Sequence, residues 1–215
     1  MLEGKYTDSK INNIYNTYLP FPSYFQVSLG VARKFDNEPS NLIFPVDEPI
    51  RIDEHSVWDL LEIRIFNFDP TMAPEGKTVI TAIIGTPNYQ YWDEMKKNNP
   101  QHYKAEKERI ANEVIDAIEK RIGNVKQFIE VTDVATPATV IRYTNNWKGS
   151  FEGWVLTPDI GLKQISKTLP GLKNFYMAGQ WVEHGGGLPA VLMSGRNVAQ
   201  IICKKDKKKF ITLSF

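Results

Sequence analysis

Near the C-terminus, glycines and a proline are spaced so that backbone, rather than side chains, can hold a ligand. A short apolar run, Phe175-Tyr176-Met177-Ala178, predicts a buried strand that stops at Gly179-Gln180. Gly185-Gly186-Gly187 follows, and an apolar helical pattern opens at Leu188-Pro189-Ala190. Glycine lets the chain come close to a bound group, and the unpaired N–H groups of a first helical turn point outward with the positive end of the helix dipole. Proline fits there because the N–H it lacks would have no partner inside the helix. A strand, a glycine turn and a helix N-terminus in that order suit an anion or a polarised ring. Gln180 can both donate and accept a hydrogen bond but brings no charge.

Other chemistry-bearing groups lack partners at useful spacing. Asp53-Glu54-His55 are adjacent in the chain, and adjacent residues seldom converge on one ion, so no metal is expected. Ser194-Gly195 lacks the flanking glycine of a nucleophile elbow. Cys203 falls on the apolar flank of the last helix and reads as inert core. Arg142 and Arg196 read as partners in ordinary ion pairs before phosphate ligands. The expected ligand-binding positions are Gly179, Gln180, Gly186, Gly187, Leu188 and Pro189. No acid–base pair accompanies them, and no catalytic residue is assigned.

The run Gly179-Gln180-Trp181, Gly185-Gly186-Gly187-Leu188-Pro189 and Ser194-Gly195-Arg196 resembles the C-terminal flavin-binding segment of phytoene desaturase-like FAD-dependent oxidoreductases. That family lies in the amine oxidase superfamily and includes carotenoid isomerases and retinol saturases. The likeness continues upstream through Thr136-Pro137, Arg142-Tyr143-Thr144, Gly149-Ser150 and Gly153-Trp154. The resemblance implies an FAD whose ring edge faces Leu188-Pro189, and a polyene or lipid-like substrate that is desaturated, saturated or isomerised. It implies an apolar substrate channel, for which Tyr143, Trp154, Trp181 and His184 are the candidates. The family often has proline where His184 stands, which argues against proton transfer there. Such enzymes carry FAD's pyrophosphate on an N-terminal G-x-G-x-x-G turn, and that spacing occurs nowhere in this sequence. The expectation is a C-terminal fragment, with the N-terminal Rossmann half absent and FAD held tightly only in the complete parent protein. A non-enzymatic lipid- or partner-binding module, or one subunit of a split flavoenzyme, are the alternatives.

The elements that must position these residues come in two kinds. Period-two alternation predicts strands over 24–35 and 57–68, with a further β-rich run at 78–84. Segments 36–54 and 69–77, rich in Pro, Asp, Asn and Glu, predict loops. Apolar residues at helical spacing from Tyr103 to Ile122 predict an amphipathic helix stopped by Gly123-Asn124. A strand is expected over 125–131 and a short helix from Thr136-Pro137 to Ile141. The fold class expected is α+β, an α/β-family fragment. It comprises an antiparallel substrate-domain sheet covered by helices, plus the strand–turn–helix part of an FAD-binding domain. Boundaries are placed at 1–122 for a substrate-binding-like domain, 123–203 for the FAD part and 204–215 for a basic tail.

Lys+Arg 26 against Asp+Glu 25 gives a net charge of +1, which offers no electrostatic case for nucleic acid. One cysteine cannot close an intrachain disulfide, and the run Val79–Ile84 is far too short to span a bilayer. A cytoplasmic protein is expected, peripheral to a membrane at most. Its expected partners are an apolar small molecule, a chain supplying the nucleotide-binding half, and a second copy, because the face left by that half would be apolar.

Overall fold

Alternation builds β1 (Ser23–Val31), in which Phe25, Val27, Leu29 and Val31 are buried and the residues between them half-buried. The computed structural model describes residues 2, 4–158 and 165–212. Beside β1 lie β2 (Asn41–Arg51), β3 (Val57–Ile65), β4 (Thr78–Thr86) and β5 (Ile129–Ala135), in the order β2-β3-β4-β1-β5 with every neighbouring pair antiparallel. Register places Val27 opposite both Ala82 and Val134, so apolar residues of three strands meet on one face.

That face is covered by helices. In α3 (Pro100–Ile122) the residues Ile110, Val114, Ile115 and Ile118 are buried at helical spacing against the sheet residues. Asn99 caps it by accepting from the His102 amide, and Pro100 opens it. At its other end Glu119 turns back. Its carboxylate accepts from the amides of Asn124, Val125 and Lys126 at 3.0, 2.6 and 2.8 Å. Those backbone hydrogen bonds, Lys126 and Val125 foremost, hold Glu119 below the usual glutamate range. A preceding helix, α2 (Tyr89–Asn98), lays Trp92 against Phe25, ring centroids 5.3 Å apart. The short α4 (Pro137–Thr144) begins in a capping box formed by Thr136 and Thr139.

Chain contacts define two compact units, Pro22–Phe151 and Met1–Phe21 with Glu152–Phe215. All five strands and α2 to α4 belong to the first, so β5 and α4, which the sequence reading set apart from the sheet, fold with it. The second contains α1 (Ser9–Thr17), capped by Asp8, and α5 (Gly187–Lys205).

Local expectations needed correction in four places. Residues 41–51 form a strand, not a loop. Pro45 and Pro49 are tolerated because β2 is the sheet's edge and is bulged between Pro45 and Ile50. The strand expected over 125–131 starts at Ile129, after a 3-10 turn at Lys126–Phe128, because the Glu119 carboxylate holds the intervening amides. Helices α1 and α2 form where none was expected. No strand forms over 175–178: Phe175, Tyr176 and Met177 are half-buried, and the Met177 amide donates to the Lys167 carbonyl at 2.8 Å without a ladder forming around that bond. The last residues of the basic tail, 213–215, lie outside the described residues.

Candidate functional site

The glycine turn is built as the sequence requires, apart from its incoming strand. Gly179 has φ 116°, and Gly185, Gly186 and Gly187 have φ 93°, 57° and 71°, values that side chains disfavour. Gly186 is the N-cap of α5, without a side chain to cap it, and Pro189 sits in the first turn. A hydrogen bond fastens the turn to the helix: the Gly179 amide donates to Oγ of Ser194 at 2.9 Å. Ser194, wholly buried, is a positioning residue that sequence reading quoted but gave no role.

Behind the turn, Gly153 meets the backbone carbonyl of Gln180 so closely that a β-carbon on Gly153 would overlap it. Trp154 follows, 1% exposed, its indole N–H donating to the Trp181 carbonyl at 3.1 Å. The rings of Tyr15, Tyr18 and Trp181 stand edge-on to it, centroids 5.4, 5.8 and 5.0 Å away. Half-buried His184 lies 6.2 Å from Tyr18, ring to ring. Trp154 is therefore the centre of an aromatic core in its unit. Tyr143 belongs to the other unit, where it is 75% exposed on α4 beside Arg142. Gly179, Gln180, Trp181, His184, Gly186, Gly187, Leu188 and Pro189 share one unit with Trp154; Tyr143 does not.

Whether this turn fits a flavin edge has a two-part answer. The backbone does: a glycine run leads into a helix N-terminus whose amide dipoles suit a negatively polarised edge. The space beside Gly186 does not. It is filled by the carboxylate of Glu152, which a β-carbon on Gly186 would overlap. Nothing local in the sequence could reveal that contact, since residues 152 and 186 meet only through the fold.

A second apolar surface lies on the open face of the sheet. Register puts Ile43, Trp58, Leu60, Ile83 and Val131 on that face, all exposed. Part of it is a groove of about 820 Å³ lined by Gln26, Asn41, Ile43, Glu62, Arg64, Phe66, Thr81 and Ile83. Arg64 is held in place, donating to Asn41 at 3.1 Å with its guanidinium over Phe66. Trp58 lies across Gly85 and donates to its carbonyl. The signal that sequence reading missed was apolar residues on both parities of β3 and β4. Asp53, by contrast, is structural: buried, it accepts from Thr86, whose hydroxyl also receives Ser56. No group of three or more metal-ligating side chains occurs among the described residues. Also among them, no helix is long and apolar enough to cross a membrane.

No protein-family model matches the chain. Individual relatives do. Chloroplastic prolycopene isomerase of Arabidopsis thaliana is 24% identical over 199 residues, 91% of this chain and 32% of its own length. The 4,4'-diapophytoene desaturase (4,4'-diapolycopene-forming) of a Methylomonas species is 23% identical over 87% of this chain and 37% of its own. The 4,4'-diaponeurosporene oxygenase of Staphylococcus haemolyticus is 28% identical over 92% and 40%. The chain is homologous to part of the phytoene desaturase-like oxidoreductases. It spans about a third of the length of the curated relatives it matches. A solved structure of an oxidoreductase from Methanosarcina mazei aligns over 90% of this chain and 37% of its own, at 11% identity and a TM-score of 0.43. Both α+β character and the antiparallel sheet agree with the expected fold class.

Proposed function

We propose that this chain is the C-terminal portion of an FAD-dependent, phytoene desaturase-like oxidoreductase acting on an apolar, polyene-like substrate. Alone, it would be inactive. The observation that carries the reading is the glycine turn leading into α5, in a chain homologous to part of such enzymes. In the complete enzyme the cofactor would supply the redox chemistry. Backbone amides at Gly186, Gly187 and Leu188 would orient its ring edge, with Gln180 and Pro189 shaping the turn. The open sheet face, apolar with a few fixed polar groups, has the composition of a wall for an apolar substrate. The missing nucleotide-binding half would come from further sequence or from a second chain. The protein would work in the cytoplasm, peripheral to the membrane where its substrate dissolves.

A non-enzymatic lipid- or partner-binding module is the second reading, and the filled turn at Glu152 favours it. Adding FAD to the purified chain and recording the visible spectrum separates the two. The first reading predicts weak binding by the chain alone that strengthens when a nucleotide-binding half is supplied. Failure to bind flavin under both conditions would leave the second.

A further inference from the structure

We propose that Glu152 is a built-in competitor, an internal carboxylate that closes the glycine turn and must leave before a flavin edge can dock. The inference rests on the flavin reading of that turn. Three features set Glu152 apart from a wandering surface acid. It occupies the volume that any side chain at position 186 would need, so the bare glycine creates the space and the carboxylate fills it. It lies at the N-terminus of a helix whose cap residue offers no side-chain acceptor, where negative charge is favoured. And its backbone is strapped down. Next to it, the Gly153 carbonyl accepts from the Phe21 amide at 2.9 Å, and Val155 donates to Leu19 at 2.8 Å. Trp154 between them is buried and bonded to Trp181. A rigid strap thus delivers one negative side chain to the place where a flavin ring would bring its own negatively polarised edge. Two such groups cannot occupy the one space beside Gly186, so binding of either excludes the other. The device would keep the turn filled until the rest of the flavin site engages.

Two measurements on the whole chain test this, with riboflavin as the probe because it carries the ring without the nucleotide. First, amide hydrogen exchange at Gly187 and Leu188 is compared between the native protein and Glu152→Ala. Faster exchange in the variant is expected, and unchanged exchange would mean the carboxylate does not sit on the turn. Second, riboflavin affinity is read by fluorescence quenching. Glu152→Ala is expected to bind about tenfold more tightly than the native chain, the scale of a partly buried charge at a helix terminus. Glu152→Gln, which keeps the volume and removes the charge, should fall between them and guards against a folding defect. Equal, measurable binding by all three would overturn the competitor role and leave the flavin reading standing. No binding by any of them would remove the flavin reading and the competitor role with it. The exchange data would then report only a structural cap.

Discussion

The two units bury their apolar residues very differently. Pro22–Phe151 holds the entire buried hydrophobic cluster, with sheet and helices contributing from both sides. Among the described residues of the other unit, the fully enclosed apolar side chains are Trp154 and Val182, grouped around the glycine turn. Helix α5 shows the contrast most clearly: over its 19 residues only Ser194 is buried, while Leu188 is 79% exposed and Leu192 73%. An amphipathic helix draws its stability from the face it packs. The sheet unit carries its own core, and the glycine-turn unit presents a helix with an apolar face still to be covered. A portion of a larger enzyme would show this asymmetry.

Phe25→Ala attacks the stronger side of the contrast. Removing a wholly buried ring packed at a tilt against Trp92 should cost about 3–5 kcal/mol, read from denaturant unfolding. If the midpoint did not move, the sheet would not be the unit that carries the core. A change on the weaker side should leave stability almost untouched and alter association instead. The double substitution Leu188→Glu with Leu192→Glu should shift stability by no more than about 0.5 kcal/mol, as at an exposed surface. It should abolish the concentration-dependent self-association expected of an uncovered apolar helix, seen by sedimentation. A native chain that stays monomeric at every concentration would sink that expectation.

The smallest effect sharpens the account of the sheet unit. Glu119 is held below the usual carboxylate range by the amides it accepts. Its contribution is therefore complete above the unfolded value of about 4.3 and is lost as pH falls through the lower folded value. Glu119→Gln should lower Tm slightly at neutral pH and flatten its decline below about pH 4.3. An acid limb as steep as the native one would remove Glu119 from the story.

What was legible in the sequence follows from the same contrast. Where burial is periodic, in β1, β3 and α3, the pattern of apolar residues was enough to place the element and its inward face, and β4 was legible as a β-rich run. The capping of α4 by Thr136 was legible too, because its residues are consecutive. Edge strand β2 was hidden by Pro45 and Pro49, which an edge tolerates and a central strand would not. Helices α1 and α2 are nine and ten residues long, too few turns for a repeating pattern to stand out, although the capping residues Asp8 and Asn88 were visible. At the site, the glycines and Pro189 announced the turn. The run at 175–178 misled because an apolar sequence states a preference for pairing, and the bond from Met177 to Lys167 is not continued into a ladder. Glu152 was out of reach for a different reason, since its place depends on the strap beside it.

At Gly153, two stretches of main chain touch with no side chain between them. Such a seam leaves evolution almost no latitude. A library randomised at this codon and selected for a folded turn should return glycine nearly alone, while the codon for Leu192 in the exposed helix α5 drifts freely.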